Sequence, residues 1–214
     1  MNNPANNPIA LSAVLITLNA EKQLVPALES LRFCDEIVVV DTNSSDNTVA
    51  LAEQHGARVV QQSWLGFGPQ KQFAIAQAKN SWVLCLDADE RITPELEKNI
   101  RAVMAQAGQG LLPKDVVGFD MPRCNFFLGR YLRHGEGYPD YSRRLFNRQH
   151  ANWSDDAVHE KVESKKTGAR FEKLQGDLLH ESAENLESYL QKQNRYTRGS
   201  INHQPNYSNF QRDC

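Results

Sequence analysis

The chain has 214 residues, of which 40% are hydrophobic and 23% charged, and its formal net charge is −2 at pH 7. This composition fits one globular domain with a full core and leaves little room for two independent domains. The near-neutral charge argues against a dedicated nucleic-acid binder, so no nucleic acid is expected as a partner.

The cysteines and the first residues indicate the compartment. The four cysteines are widely scattered and form no CxxC pair, so neither a disulfide framework nor a structural zinc site is predicted. The opening MNNPANNPIA lacks the basic start and long apolar run of a signal peptide, and no stretch approaches eighteen consecutive apolar residues. We therefore expect a cytoplasmic protein with a flexible leader at residues 1–10.

Alternating strands and helices are predicted from residue 11 to residue 108. Apolar runs of strand length occur in SAVLITLN, EIVVVD, ARVVQQ and WVLCLD, and each is followed by a segment with the features of a helix. Ser45 or Asn43 is placed to cap the second helix, and Pro69 to begin the third. Such alternation predicts a parallel α/β sheet whose ligands bind beyond the carboxyl ends of the strands.

The pattern changes after about residue 109. The stretch GFDMPRCNFFLGRYLRHGEGYPDYSRRLFNRQHANW is rich in aromatic residues, arginines and Gly or Pro breaks. This composition predicts short strands and loops that cover the sheet, where a second side of a ligand site can be built. A helix is expected from Ser182 to Arg198, followed by a polar tail at residues 199–214.

The stretch LCLDADERIT, residues 84–93, ends a buried strand in carboxylates. Asp87 and Asp89 can face one ion only from a turn after the strand, because side chains within a strand alternate. Hard divalent cations such as Mg²⁺ or Mn²⁺ take oxygen ligands and often use one or two protein carboxylates plus substrate phosphates. The alternative is a solvated acidic loop. Because Asp41 also ends a strand of the predicted sheet, the pattern favours a metal and nucleotide site at this edge.

Three segments of the first half resemble the nucleotide-sugar half of the inverting family 2 glycosyltransferases: TLNAEKQLVPALESL, EIVVVDTNSSDNTVALAEQHGA and SWVLCLDADERITPEL. Three later segments are similar to the bacterial lipopolysaccharide-core β-1,4-glucosyltransferase subgroup of that family: FFLGRYLRHGEGYPDYSRRLFNR, ANWSDDAVHEKVE and LLHESAENLESYLQKQNRYT. The resemblance implies a GT-A type fold, a Rossmann-like α/β fold with a mostly parallel central sheet and an irregular acceptor-side C-terminal half. One domain at residues 11–198 would then consist of a nucleotide-sugar half, 11–108, and an acceptor half, 109–198.

The resemblance also implies a UDP-sugar donor, a divalent metal, either Mg²⁺ or Mn²⁺, and a glycolipid acceptor from the lipopolysaccharide core. Asp41 would hydrogen-bond the uracil or ribose, Asp87 would lie by the ribose or a water on the metal, and Asp89 would bind the metal through the diphosphate. The nucleotide pocket would be lined by Thr17, Asn19 and Glu21. For Asn19 the alternative is a helix N-cap. His180 is a candidate for a further metal ligand, with a structural hydrogen bond as the alternative.

Inversion requires a base that removes the proton from the acceptor hydroxyl as it attacks the anomeric carbon, and a carboxylate is the usual candidate. Glu160 ranks first because VHEKVE resembles the place where relatives have their catalytic acid, with Asp156 and Asp140 behind it. The alternative for Glu160 is a surface ion pair with Lys161 or an arginine. Charge on the leaving diphosphate would be stabilised by the cations Lys71, Arg143 and Arg144. On an alternating strand, one of the two adjacent arginines faces the site and the other faces solvent.

The resemblance thus implies a metal-dependent inverting hexosyltransferase that transfers a hexose, expected to be glucose, from a UDP-sugar to an inner-core sugar of lipopolysaccharide. Contact with the inner face of the cytoplasmic membrane is expected to be weak and peripheral. Two alternatives stay open. A haloacid-dehalogenase-like phosphatase also has an apolar strand followed by DxD, although Arg91 occupies the fifth position of that motif here. A noncatalytic sugar-nucleotide or glycan-binding module would retain Asp41 and Asp89 without a working base.

Overall fold

The structure, a computed structural model, describes residues 9–127, 129–135, 137–155 and 160–181. The first half alternates strands and helices as predicted, with β1 (Leu11–Thr17), α1 (Leu24–Ser30), β2 (Glu36–Asp41), α2 (Thr48–Gln54), β3 (Arg58–Gln61), α3 (Phe67–Ala76), β4 (Trp82–Asp87) and, after a short strand that was not predicted, β5 (Glu90–Ile92), the helix α4 (Pro94–Gly108). The second half consists of β6 (Val116–Phe127), β7 (Arg130–Tyr131), β8 (Asp140–Asn147), β9 (Ala151–Trp153), β10 (Val162–Ser164), β11 (Arg170–Lys173) and β12 (Leu178–His180).

One ten-stranded sheet organises the molecule, in the order β3-β2-β1-β4-β8-β6-β12-β5, with β7 and β11 also paired to β6. The strands β3, β2, β1 and β4 are parallel, so the carboxyl ends of β1, β2 and β4 lie at one edge. β8 pairs antiparallel with both β4 and β6. The second half of the chain therefore extends the sheet on which the first half is built.

The expectation of short strands after residue 109 holds for β7 and for β9 to β12, which have two to four residues each. It is wrong for β6 and β8, which have 12 and 8 residues. Both long strands pair with each other, and β8 also pairs with the buried strand β4. Tertiary pairing thus overrides the local Pro, Gly and Arg content that argued for loops.

The core lies on both faces of the sheet, and β1 shows how the two faces are divided. Leu15 packs in one buried cluster with Leu24 of α1, while its neighbour Val14 packs in the other with Ile75 of α3. This alternation follows from the strand geometry, and burial on both faces is typical of parallel strands between helices. Trp153 of β9 belongs to the same cluster as Ile75. The β9–β10 region is thereby anchored beside α3, next to the ends of β1 and β4.

Two predicted helix starts differ from the structure. α2 begins at Thr48, so the predicted caps Asn43 and Ser45 are wrong. The Ser45 hydroxyl instead donates to a loop after β1, and Asn43 lies in the left-handed region with φ 56°. α3 begins at Phe67, which makes Pro69 its third residue and not its first. Polar loop residues here bind each other, and this competes with capping.

Several predictions fall on parts of the chain outside the described residues: nearly all of the leader at 1–10, the helix from Ser182 to Arg198, the tail at 199–214, and the candidate base Asp156. Within the described ranges, no helix has both the length and the apolar composition needed to cross a membrane.

Candidate active site

A cleft of about 1120 Å³ opens at the carboxyl ends of β1, β2 and β4, where the alternating pattern predicts ligand binding. The first half of the chain contributes Ile16, Thr17, Leu18, Thr42, Trp64, Phe67, Lys71, Asp87 and Asp89. The second half contributes Asp120, Arg123, Tyr141, Ser142, Arg143, Arg144, Trp153, Glu160, Lys161, Val162 and His180. Both predicted halves of the site therefore meet in one cleft.

Five charged side chains form a continuous network beside this cleft, which we call the ionic network. The Lys71 Nζ atom lies 3.2 Å from Asp87 Oδ1 and 2.9 Å from Glu160 Oε1. The Arg144 Nη2 atom lies 2.7 Å from Asp87 Oδ2 and 2.6 Å from Glu90 Oε1. Two cations thus face three carboxylates, and Asp87 connects the two cations. Because the network is made of groups from α3, β4, β5, β8 and the segment before β10, it fixes the end of β4 relative to the second half of the chain.

Burial alone would raise the pKa of Asp87, but Arg144 and Lys71 outweigh burial and hold the pKa of that carboxyl well below its usual range. Burial would likewise lower the pKa of Arg144, but Glu90 and Asp87 raise it above its usual range. Both groups are therefore charged at neutral pH. Asp87 uses its two oxygens on protein cations, so the prediction that it also lies by the ribose or the metal stays a prediction.

Arg143 and Arg144 both line the cleft, so the prediction that one of them faces solvent is wrong. The reason is a shift in the pairing of β8 with β6 between Phe119 and Asp120, which interrupts the regular alternation of side chains. Arg143 donates from Nε to Asp120 Oδ1 at 2.8 Å and from Nη1 to the carbonyl oxygen of Val162 at 2.7 Å. It therefore joins β8 to β6 and β10 at the side of the cleft.

Asp89 and His180 lie together at the cleft, with 3.5 Å between Asp89 Oδ2 and His180 Nε2. The His180 Nδ1 atom lies 2.6 Å from Asn125 Oδ1, an acceptor, which assigns the proton to Nδ1. In a neutral ring, Nε2 then presents its lone pair toward the Asp89 carboxylate. Two such electron donors at this distance are suited to a shared cation.

Asp89 and His180 fit Mg²⁺ or Mn²⁺ if phosphate oxygens and water complete the coordination of the ion. In the described part of the chain, no group of three His, Cys, Asp or Glu side chains is arranged to hold a metal ion. Metals that work on nucleotides often take only one or two protein ligands and complete their coordination with phosphate oxygens and water. Asp89 and His180 match that pattern, because a carboxylate suits both Mg²⁺ and Mn²⁺ and a neutral imidazole is a common second metal ligand.

The Asp41 side chain is fully buried and is not among the described residues that line the cleft. Its carboxylate accepts a hydrogen bond from Thr17 Oγ1 at 2.9 Å and another from the Ser44 backbone N–H at 2.8 Å. Thr17 does line the cleft. Asp41 thus supports the cleft wall from inside the protein in this arrangement.

Asn19 and Glu21 connect two loops near the ends of β1 and β2. Asn19 Oδ1 accepts from the Ser45 backbone N–H at 2.9 Å, and Glu21 Oε2 accepts from the Asn47 backbone N–H at 3.1 Å. Neither side chain is part of the cleft lining, and the N-cap of α1 is Gln23, so the capping alternative for Asn19 is wrong. Their contacts order the loops that carry the cleft residues Leu18 and Thr42.

Of the candidate bases that the structure describes, only Glu160 lines the cleft, and its partner is Lys71 rather than Lys161. Lys161 pairs with Glu163 at 3.1 Å. The Asp140 carboxylate accepts from Arg123 Nε at 2.9 Å and lies outside the lining. Glu160 thus forms an ion pair, but with a buried lysine, so the alternative of an ion pair at the surface is wrong.

Most of the chain matches a known protein family. The family model described as Glycosyl transferase family 2 matches residues 12–167 of the chain. The chain belongs to this family. Membership confirms the predicted resemblance and decides against the phosphatase alternative, because the DxD stretch lies within the matched glycosyltransferase region.

Two relatives show the range of similarity. The lipopolysaccharide core biosynthesis glycosyltransferase LpsC of Rhizobium meliloti is 30% identical over 210 residues, which cover 88% of this chain and 69% of that protein. An uncharacterised glycosyltransferase of Rickettsia felis is 42% identical over 100 residues, which cover 46% of this chain and 35% of that protein. The chain thus matches about a third of the length of the Rickettsia relative.

Among solved structures, S. aureus TarS in complex with UDP-GlcNAc is similar, with a TM-score of 0.55, 19% identity and coverage of 85% of this chain and 61% of that chain. A second structure of TarS has a TM-score of 0.54 with 17% identity and covers 91% of this chain and 66% of that chain. These likenesses concern the fold. They confirm the predicted class, an α/β fold of GT-A type with a mostly parallel central sheet.

Glu90, Asp120 and Arg123 are among the residues of the site that were not predicted from the sequence. Glu90 is fully buried and is the third acidic residue of the DADE stretch, so its position directly after the DxD was a signal that could have been used. Asp120 and Arg123 belong to β6 and reach the cleft through its pairing with β8. No local pattern marks them, because the residues that they pair with lie on another strand, β8.

Proposed function

We propose that this protein is an inverting hexosyltransferase that transfers glucose from UDP-glucose to an inner-core sugar of lipopolysaccharide. The observation that carries the proposal is one cleft that holds the Asp89–His180 pair and the Glu160 carboxylate together at the strand ends. LpsC, with 30% identity over 88% of the chain, supports a lipopolysaccharide-core acceptor. TarS was solved with UDP-GlcNAc, which makes a UDP-sugar the first donor class to test.

The nucleotide is proposed to bind where β1 and β2 end. Thr17 and Thr42 offer hydroxyl groups in the cleft at these ends, and Asp41 holds the Thr17 hydroxyl from behind. Asn19 and Glu21 would not contact the nucleotide themselves but would hold the loops that carry the residues in contact with it. Direct contact of Asp41 with uracil or ribose requires the Thr17 hydrogen bond to be exchanged for one to the nucleotide.

Asp89 and His180 are the residues proposed to hold Mg²⁺ or Mn²⁺. When bound, such a metal offsets the negative charge that develops on the diphosphate leaving group. Asn125 orients the His180 ring through Nδ1, as is common for histidines that bind metals through the other nitrogen. Asp87 would contribute by fixing the turn that presents Asp89, through its contacts with Lys71 and Arg144.

Glu160 is the proposed general base. Its carboxylate takes the proton from the acceptor hydroxyl as that oxygen attacks the anomeric carbon from the face opposite the diphosphate. The new carbon–oxygen bond forms while the bond to the diphosphate breaks, and UDP leaves with the electron pair. Configuration at the anomeric carbon inverts because attack and departure occur on opposite faces.

A transfer assay with Glu160→Gln tests this role. Purified wild type and variant would receive labelled UDP-glucose, Mn²⁺ and lipopolysaccharide truncated in its inner core, and labelled glycolipid would be counted. The variant should bind UDP within about threefold of wild type but lose about 10²–10⁴ in turnover, the usual contribution of a general base. Glu53→Gln, an exposed residue of α2, is the matched control. Normal transfer by Glu160→Gln would remove Glu160 from the role.

The alternative of a noncatalytic binding module predicts a different result. Wild-type protein would then bind UDP-glucose but form no labelled product with any truncated lipopolysaccharide, and UDP would not be released. The family match does not separate these outcomes, because fold and family can persist without turnover. Transfer by the wild type therefore decides between them.

Weak peripheral contact with the inner face of the cytoplasmic membrane is part of the proposal. Four large apolar side chains are exposed near the ends of β1 and β3: Leu18, Trp64, Leu65 and Phe67. Three of them also line the cleft, which would let a lipid-linked acceptor enter from the bilayer surface. Sedimentation with anionic vesicles should pull down wild type more than the variant Trp64→Ser, and equal sedimentation would contradict the contact.

A further inference from the structure

Lys71 forms ion pairs with both halves of the cleft. It is the fifth residue of α3 and is only 8% exposed. Its ammonium nitrogen lies 3.2 Å from Asp87 at the end of β4 and 2.9 Å from Glu160 in the segment before β10. Such a buried cation is stable only because both carboxylates balance it.

The surroundings of the ammonium leave it little freedom to leave this position. Its nitrogen lies 4.4 Å from the centre of the Trp153 ring, within the range of a cation–π contact. Asp87 is itself held on its second oxygen by Arg144. Lys71 is therefore fixed on three sides by groups from β4, β9 and the segment of Glu160.

This arrangement differs from the role predicted for Lys71 as a cation for the diphosphate. An ammonium that already contacts two carboxylates would have to give up at least one of them to bind a phosphate. Its closest partner, Glu160, is the carboxylate to which the proposed function assigns proton transfer. The ammonium can hold that carboxylate in one orientation, and a displacement of about 1 Å in a reacting group can cost roughly 10²-fold in rate.

We propose that Lys71 is a positioning residue that holds the Glu160 carboxylate toward the acceptor side of the cleft and links it, through Asp87, to the end of β4. The inference rests on the proposed function, in which Glu160 is the base. It predicts that Lys71 affects turnover strongly and donor affinity weakly.

The test compares Lys71→Met and Lys71→Arg with wild type and with Lys98→Met, an exposed lysine of α4 that serves as the matched control. UDP affinity would be measured by calorimetry with Mn²⁺, and kcat and KM by glucose transfer to truncated lipopolysaccharide. Lys71→Met should lower kcat by about 100-fold or more while changing UDP affinity by less than about threefold. Lys71→Arg should have a kcat about tenfold higher than that of Lys71→Met, because a cation is again present.

A second comparison separates positioning from a structural role. In the Glu160→Gln background, adding Lys71→Met should change turnover by less than about threefold, because residues that act as a unit are not additive. The double variant also removes one cation and one carboxylate together, so it keeps the charge balance of the ionic network if Lys71→Met alone does not fold. An equal further loss in both backgrounds would overturn the inference.

Other outcomes also separate the inference from the proposed function. Wild type that neither binds UDP nor transfers glucose would contradict the proposed function and this inference with it. Wild-type transfer combined with a Lys71→Met variant that binds UDP tenfold or more weakly at unchanged kcat would contradict the inference alone. That result would return Lys71 to the role of a diphosphate ligand.

Discussion

The guanidinium of Arg144 lies 2.6 Å from the carboxylate of Glu90, with 6% and 0% of their side chains exposed. Breaking one partner of a buried pair leaves the other charge uncompensated, at a cost of about 3–5 kcal/mol. Glu90→Gln should therefore lower the free energy of unfolding by about 3 kcal/mol, since Asp87 still partners Arg144. Urea unfolding measures this change.

The control for Glu90 is Glu97→Gln on α4. Glu97 pairs with Arg101 one turn along the helix at 2.8 Å, but both side chains are more than a third exposed. Such exposed pairs contribute less than about 0.5 kcal/mol. If the two variants lose equal stability, the ionic network does not stabilise the end of β4 as described.

Gly176 allows the segment before β12 to pass against the start of α4. Its φ is 91°, and a Cβ there would lie 2.4 Å from the Leu96 backbone nitrogen. Gly176→Ala should cost at least about 3 kcal/mol, because both the positive φ and the collision with backbone are unfavourable. Gly168→Ala, at φ 74° with no atom within 4 Å, should cost only about 1–2 kcal/mol. Thermal unfolding of both variants tests the difference, and equal melting temperatures would contradict it.

Tyr138 predicts an alkaline dependence of stability. Its hydroxyl donates to Asp177 Oδ1 at 2.6 Å, and this hydrogen bond raises the pKa of Tyr138 from 10.0 to about 12. The folded state keeps a proton that the unfolded state loses, so the stabilisation is fully present below pH 10 and is lost as the pH rises through 12. Tyr138→Phe should cost about 1.5 kcal/mol at pH 8, typical of a hydrogen bond to a charged group.

The cost of Tyr138→Phe should shrink between pH 10 and pH 12. Tyr141→Phe is the control, because Tyr141 is 41% exposed and should show little cost at any pH. Urea unfolding at several pH values gives both curves. A cost for Tyr138→Phe that stays constant up to pH 12 would show that the Asp177 hydrogen bond is not its source.

Hydrophobic periodicity was enough to predict the half of the fold built by β1, β2, β4 and the helices between them. Those strands are buried on both faces, so their apolar runs are continuous and easy to recognise. Hydrophobic periodicity did not predict β6 and β8, because the length of these strands depends on their pairing with each other. Sequence spacing alone carries no information on that pairing.

The site shows the same division between local and non-local information. The pattern DADE predicted that Asp87 and Asp89 would lie at a cleft, because it depends only on where a strand ends. That Arg144 is buried beside Glu90 could not be predicted, since it follows from the irregular register of β8 against β6, which no local sequence pattern shows. The predicted contact of Asp41 with the nucleotide stays a prediction, and in the structure its carboxylate accepts hydrogen bonds from the Thr17 hydroxyl and the Ser44 backbone N–H.

Asp89 provides the test of the metal site. Asp89→Asn should weaken UDP binding in the presence of Mn²⁺ by about tenfold or more, because an amide oxygen is a poorer ligand than a carboxylate for a divalent cation. Asp115→Asn is the control, since Asp115 lies in the exposed pair with Arg170 before β6. Equal affinity of both variants would remove Asp89 from the metal site.

The most direct measurement is a calorimetric titration of UDP into wild-type protein, once with Mn²⁺ and once with EDTA, with ADP as the nucleotide control. Micromolar binding of UDP that is lost in EDTA and not reproduced by ADP is the result expected for a metal-assisted UDP-sugar site. Absence of UDP binding from folded protein, or binding that is equal with Mn²⁺ and EDTA, would contradict it.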